Sequence, residues 1–218
     1  MSFSISIEDF KSKGRLCCLS TIFAALQFLL LTFLAALFYP GGYDYFGYNF
    51  SDLGTVLARN GASNSFSSIL FIIAATLVAI FMIPTWLILP SLFKESTAEK
   101  VMSYLGSCFG FIASPLLIGL AIFPADTEDV LHNFFARFFF LAFGLAILIY
   151  SIAILFNQNY SNYFSIIGLA IFLLVVAYVF GVFGVWSPFV QKVIIYSYIL
   201  WAFIQVFRIW PSVKPQIN

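Results

Sequence analysis

Long apolar stretches separated by short polar segments dominate the order of residues along this chain. Six of the stretches reach the ~20 residues that a helix needs to cross the hydrocarbon core of a bilayer. They cover residues 16–39, 66–93, 101–123, 130–156, 163–186 and 192–210. The alternating segments of ~10 residues that are typical of a membrane barrel do not occur in the sequence. The pattern therefore predicts an all-α, polytopic membrane protein, with one transmembrane domain of six helices over residues 1–218.

The connections and the basic residues predict the orientation of these helices. Three turns are short, at 94–100, 157–162 and 187–192, so the helices that they join must be antiparallel. Six spans place both termini on one side of the membrane. On that side would lie Lys11, Lys13, Arg15, Lys94, Lys100, Arg208 and Lys214, with Arg59, Arg137 and Lys192 on or toward the other. Because basic residues concentrate on the cytoplasmic side, we predict cytoplasmic termini and a location in the plasma membrane.

The first outer loop is the one long connection, from Pro40 to about Asn64. Its glycine- and tyrosine-rich first part is unsuited to a regular helix. Apolar residues then recur at helical spacing. These are Phe50, Leu53, Val56 and Leu57. Since Ser51 can cap such a helix and Gly61 can end it, the loop is predicted to contain a short amphipathic helix at the outer membrane interface.

Composition agrees with a membrane location and excludes several classes of function. The chain is 62% hydrophobic and 9% charged, against roughly 25% charged residues in soluble domains. A net charge of +1 provides no basic surface for nucleic acid. One histidine and three cysteines, two of them adjacent, fit neither a zinc site nor a disulfide framework. The sequence predicts no metal site and no cofactor.

The fourth span carries the polar cluster that is most costly to place in a membrane. At helical spacing, one face would collect Asp129, His132, Asn133, Ala136 and Arg137. Arg137 would lie ~12 Å below Asp129, at a depth where an ionised side chain costs ~2.5–3.5 kcal/mol. Such residues usually face protein or water. This face is therefore predicted to point into the helix bundle and to open toward the outer side.

A buried arginine needs a carboxylate, and Asp52 in the first outer loop is the favoured partner of Arg137, with Asp44 as the alternative. Two hypotheses fit this pairing. In the first, Asp52 and Arg137 form a structural ion pair, with His132 as a hydrogen-bonded neighbour. In the second, they line a pocket in which Arg137 binds a phosphate or carboxylate and His132 transfers protons. The candidate ligand-binding residues are Asp52, Asp129, His132, Asn133 and Arg137.

Several short motifs resemble a known family. They are S-x-L-G at Ser51, Leu53 and Gly54, then Asn64, then F-P-x-D at Phe123, Pro124 and Asp126, with His132 and Ala136 downstream. This pattern resembles the prokaryotic six-helix membrane family called domain of unknown function 998, which is similar in layout to the eukaryotic Frag, Dram and Sfk membrane proteins. Because some of those proteins are implicated in lipid remodelling or organisation, the resemblance implies a role that involves membrane lipids.

The main functional hypothesis is a protein that binds or remodels a lipid headgroup in an outward-facing polar pocket, with membrane lipids as its partners. A small transporter or channel subunit is one alternative. It is less favoured because only the fourth span carries charges deep in the membrane. The other alternative is a structural accessory subunit, as a homo-oligomer or within a larger membrane complex. The sequence assigns no enzymatic reaction.

Overall fold

A computed structural model describes residues 7–213 of the protein, with side chains described over residues 13–211. This part of the chain is helical. Its α-helices are α1 (Ile7–Leu37), α2 (Ser65–Phe81), α3 (Ile83–Ile88), α4 (Thr97–Ile122), α5 (Asp129–Phe156), α6 (Tyr163–Val179) and α7 (Ser187–Val213). Three 3₁₀ turns accompany them, at Phe50–Gly54, Leu89–Leu92 and Gly184–Trp186.

Five helical segments are long and apolar enough to cross a membrane. They are Lys13–Leu37, Ser65–Leu92, Thr97–Ile122, Asp129–Phe156 and Gly184–Pro211. A further apolar helix, α6, is shorter, with 17 residues. The predicted all-α membrane fold is confirmed by these segments. Of the six predicted spans, the fifth is the one that the structure shortens.

Proline divides the second segment into α2, α3 and a 3₁₀ turn, where the sequence predicts one span over residues 66–93. Pro90 has no amide hydrogen to donate to the carbonyl oxygen of Trp86, four residues earlier. The hydroxyl of Ser107, on α4, donates to that oxygen instead, at 2.5 Å. A hydrogen bond from a neighbouring helix thus compensates for the one that proline removes.

Glycine ends α6 seven residues before the predicted boundary at residue 186. Gly181 adopts a left-handed conformation with φ +74°. The amide of Gly181 donates to the carbonyl of Tyr178, and the amide of Val182 donates to that of Ala177, both at 3.0 Å. This pair of bonds is the Schellman motif that terminates helices. The chain then turns through Gly184 into α7.

The helices form a ring in which α1 packs on α2, α2 on α4, α4 on α5, α5 on α6, α6 on α7, and α7 again on α1. The Cys18 thiol donates to the carbonyl oxygen of Val206, so the beginning of α1 lies beside the end of α7. We call this end of the bundle the terminal end. The opposite end, which carries the long connection between α1 and α2, is the loop end.

Aromatic side chains fill the bundle between its middle and the terminal end. Trp86 lies between two of them, with its ring centroid 6.5 Å from that of Tyr150 and 6.2 Å from that of Trp201. Phe93 packs on Tyr150 at 5.6 Å. We call these four residues the aromatic layer. Each is at most 1% exposed, so this half of the bundle is closely packed.

Candidate functional site

Residues 38–64 fold over the loop end of the bundle, and we call this segment the cap. Only Phe50–Gly54 is helical, as a buried 3₁₀ turn. The backbone is extended at Thr55, and it reverses so that Leu57 pairs with Ser63 as an isolated β-bridge. The predicted amphipathic helix, ending at Gly61 on the membrane interface, is therefore wrong. Gly61 instead closes a turn at φ +81°.

Asp126 explains why this segment is not helical. Its two carboxylate oxygens accept hydrogen bonds from the amides of Val56 and Leu57, at 3.1 and 2.9 Å. Amides bound in this way cannot donate to a helix. Asp126 precedes α5, so it fastens the cap to the connection between α4 and α5. The sequence offered one signal for this residue, its place in the F-P-x-D motif.

Asp52 interacts within the cap, and not with α5. Its Oδ1 lies 2.8 Å from Nη2 of Arg59, and its Oδ2 accepts the amide of Asn49 at 2.6 Å. The predicted pairing of Asp52 with Arg137 is therefore wrong. Arg59 is only seven residues away, so a short loop brings it to Asp52 at a small cost in chain entropy.

Arg137 lies on the surface of α5 and forms no hydrogen bond or ion pair with the residues described. The predicted inward face is covered lower on α5, where Gly144 lies against Val175 of α6 and the ring of Phe140 contacts that of Tyr178. One turn above Phe140, α6 has ended. Arg137 is therefore uncovered because its neighbouring helix is too short to reach it.

The other polar residues of the predicted face are not all buried either. Asn133 and Asp129 are exposed and bond to each other, with the Asn133 amide donating to Oδ1 of Asp129 at 2.6 Å. His132 is 6% exposed, and its Nδ1 donates to the carbonyl oxygen of Phe123 at 2.8 Å. His132 therefore holds the end of α4 against α5. Among the described residues, no three metal-ligating side chains come together.

Asn64, at the end of the cap, and Ser67, on α2, hold the cap from one side. The amide nitrogen of Asn64 donates to the carbonyl oxygens of Leu53 and Thr55, both at 3.0 Å. The hydroxyl of Ser67 donates to the same Leu53 oxygen, also at 3.0 Å. Gly54 lies against the ring of Phe71, where a Cβ atom would come within 2.5 Å. The S-x-L-G motif and Asn64 thus serve cap packing.

Two residues of α7 hold the cap from the other side. Neither is among the site residues predicted from the sequence. Oε1 of Gln191 accepts the amide of Phe50 at 2.8 Å. Lys192 is 1% exposed, and its ammonium group donates to the carbonyl oxygens of Tyr48 and Pro188. It also lies 5.4 Å from the ring centroid of Phe50, within the range of a cation–π interaction. Their position at the start of the sixth span gave no sign of this role.

Tyr43 stabilises the turn that precedes the 3₁₀ helix. Its hydroxyl donates to the carbonyl oxygen of Asn49 at 2.7 Å. Burial raises the pKa of Tyr43, and the negative charge of Asp52 raises it further. The phenol therefore remains protonated and able to donate.

An apolar cavity, open at its mouth, lies between the cap and the aromatic layer. Its wall is formed by α1, α2, α4, α5 and α7 and is almost entirely apolar. Representative side chains are Phe28, Phe71, Leu117, Phe143 and Ile195. The wall runs along α7 from Gln191 to Ala202, a distance of ~16 Å at the helical rise. Among the residues predicted to bind a ligand, Asp52, Asp129, His132, Asn133 and Arg137, none lines it.

Comparison with known proteins gives one match. The family model described as the Frag1/DRAM/Sfk1/Cwh43P N-terminal domain matches residues 12–207. No curated protein matches the chain. No solved structure matches it either. The matched region contains the cap, every residue that lines the cavity and every predicted site residue.

Proposed function

Since the chain belongs to the family of the Frag1/DRAM/Sfk1/Cwh43P N-terminal domain, and is thus a multi-pass membrane protein, we propose that it binds a membrane lipid in its central cavity. One observation carries this proposal. A long apolar cavity lies among helices that are themselves long and apolar enough to be surrounded by lipid. The natural occupant of such a space is an acyl chain.

We place both termini on the cytoplasmic side of six spans. The 17 residues of α6 are at the lower limit for a membrane helix. Exposed basic residues occupy the terminal end, at Lys13, Arg15, Lys94, Lys100 and Arg208. The loop end carries fewer basic residues, at Arg59, Arg137 and Lys192. This distribution supports cytoplasmic termini and a cap on the outer side of a plasma membrane. The motifs of the cap and of the α4–α5 connection support a closer relationship to domain of unknown function 998.

The cavity favours lipid binding over transport. The aromatic layer, with Trp86 and Trp201 both 1% exposed, fills the bundle toward the terminal end and contributes no side chain to the cavity wall. A solute path across the membrane would need polar groups through this layer, and the rings there pack on one another. A bound lipid needs access only from the bilayer or from beneath the cap.

Arg137 supports a separate contact with lipid headgroups. Its exposed guanidinium lies on the lipid-facing surface of α5, two turns below Asp129, and can extend toward the interface. A phosphate there would form a charge-assisted hydrogen bond with it. This contact lies outside the cavity, so the two lipid interactions can be tested independently.

The test is lipid analysis of the protein purified in mild detergent, by native mass spectrometry and by extraction. Ala202→Phe and Ala25→Phe place a large ring in the cavity, and both variants are expected to lose most of the bound lipid. Ala170→Phe is the matched control, because Ala170 is exposed on α6. It should retain the lipid of the unmodified protein. Arg137→Gln should retain it too, while losing enrichment of anionic lipids.

Folding is checked by circular dichroism and by the unfolding temperature of each variant. If folded Ala202→Phe and Ala25→Phe proteins both retain lipid at the unmodified level, the cavity is not the binding site. If Arg137→Gln is the one variant that loses the bound lipid, the lipid is bound through its headgroup at Arg137 and not in the cavity.

A further inference from the structure

We infer that the cavity selects an uncharged amphiphile whose hydroxyl or ester oxygen hydrogen-bonds to Ser51. This inference rests on the proposed lipid binding and adds the chemical class of the ligand. A lipid chain gains little by moving from the bilayer into a cavity of similar polarity, because lipid tails are as apolar as leucine side chains. Recognition therefore depends on the polar groups of the cavity wall.

Four side chains of the wall carry hydrogen-bonding groups, and three of them are already engaged. The Thr21 hydroxyl bonds to that of Thr85 at 2.5 Å. The Tyr198 hydroxyl donates to the carbonyl oxygen of Phe140 at 2.7 Å. Gln191 accepts from the Phe50 amide and donates to the Tyr178 hydroxyl, at 2.8 and 3.1 Å.

Ser51 is the fourth, and its hydroxyl has no hydrogen-bond partner among the described residues. The residue is 8% exposed and lies in the cap, at the loop end of the cavity. Its backbone is held firmly, because Gln191 binds the amide before it and Asp52 after it binds Asn49. A ligand oxygen that reached this hydroxyl would supply the hydrogen-bond partner that the described residues do not provide. Ser51 therefore presents a fixed donor and acceptor to the polar end of an acyl chain.

Charge decides which polar end fits. The described wall of the cavity contains no charged side chain. Lys192 is close to the roof, but it does not line the cavity, and its ammonium group binds two carbonyl oxygens and lies over the ring of Phe50. A phosphate or carboxylate beside Ser51 would be buried without a cation, which is strongly unfavourable. A neutral headgroup carries no such penalty.

The experiment compares two lipids with the same acyl chain, monooleoylglycerol and oleoyl lysophosphatidic acid, added to delipidated protein and measured by native mass spectrometry. We expect monooleoylglycerol to bind more than about tenfold tighter. Ser51→Ala should weaken its binding by about fivefold, as for loss of one hydrogen bond, and leave lysophosphatidic acid unchanged. Ser63→Ala is the matched control, since Ser63 is an exposed cap residue that bonds to Ser65. It should leave both affinities unchanged.

Oleyl alcohol separates the two neutral oxygen groups. Binding equal to that of monooleoylglycerol shows that one hydroxyl is sufficient for recognition, and weaker binding shows that the glyceryl ester group contributes to it. Equal affinity for monooleoylglycerol and lysophosphatidic acid, or no effect of Ser51→Ala on the former, would overturn the inference. Lipid binding in the cavity would still stand in that case if Ala202→Phe abolished it. If Ala202→Phe binds every probe as tightly as the unmodified protein does, the proposed function fails as well.

Discussion

The two halves of the helix bundle are built from similar residues but are packed differently. Near the terminal end, Trp86, Tyr150 and Trp201 fill the centre, and no side chain in the aromatic layer is more than 1% exposed. Near the loop end, phenylalanine and leucine side chains surround an open space. Hydrophobicity alone does not distinguish the halves, since both are apolar.

The difference lies in how each half is closed. Helix side chains close the terminal half from within. The loop half is closed from outside, by a cap that polar contacts fasten to α2, to the α4–α5 connection and to α7. A space closed by a separately fastened cover can open without repacking the helices. Such an arrangement would let the proposed lipid enter beneath the cap while the terminal half stays packed.

Removing one phenylalanine side chain from each half should change the free energy of unfolding most. Phe93→Ala leaves a void among close-packed rings and should lower the free energy of unfolding by about 4 kcal/mol. Phe71→Ala should cost at least about 1 kcal/mol less, because one side of Phe71 already faces the cavity. Unfolding by SDS in mixed micelles measures both. A loss for Phe71→Ala equal to that for Phe93→Ala would mean that the loop half is packed as tightly as the terminal half.

A smaller and local effect is expected from releasing the cap. Asp126→Ala removes the acceptor of the Val56 and Leu57 amides, so hydrogen exchange at these two positions should accelerate about tenfold or more. The unfolding temperature should change little, because Asp126 is exposed. Asp129→Ala is the control, since Asp129 is an exposed acid at the same end that bonds only to Asn133. If Asp126→Ala leaves hydrogen exchange in the cap unchanged, the Asp126 carboxylate does not hold the cap in place.

The smallest effect is the coupling between charges. A double-mutant cycle on Asp52 and Arg59 should give about 0.5–1 kcal/mol, since the exposed guanidinium of Arg59 is screened by solvent. The same cycle on Asp52 and Arg137 should give a coupling near zero. Thermal unfolding of the single and double alanine variants measures both cycles. A clear coupling between Asp52 and Arg137 would restore the ion pair predicted from the sequence.

The helices could be predicted from the sequence because each hydrophobic stretch has a length set by the bilayer. Residues 130–156 were predicted as a span, and α5 runs over Asp129–Phe156. The end of α6 was missed because Gly181 and Gly184 lie within an apolar stretch, where the hydropathy pattern does not reveal a helix end. Local backbone chemistry decided that boundary.

The candidate site was harder to predict, because its contacts join distant parts of the chain. Asp52, His132 and Arg137 stand out in the sequence as polar residues among apolar ones, yet His132 is the one residue of the predicted α5 face that is buried. The predicted inward direction of Arg137 assumed a full-length α6. The clamp formed by Asp126 on the Val56 amide spans 70 residues of sequence, and no periodic pattern encodes such a contact. The cavity is likewise a property of packing, which hydrophobicity does not specify.

The shortness of α6 has a consequence for the surrounding bilayer. At ~1.5 Å per residue its 17 residues cover ~25 Å, against a hydrocarbon thickness of ~30 Å. The turn that follows exposes apolar side chains, including Phe180 at 78% and Val185 at 90%. We expect lipids beside α6 to tilt or shorten to match this side, so that the membrane is thinner there than around the rest of the protein. The thickness of the bilayer around this molecule would then be uneven, and the thinnest part would lie next to Arg137.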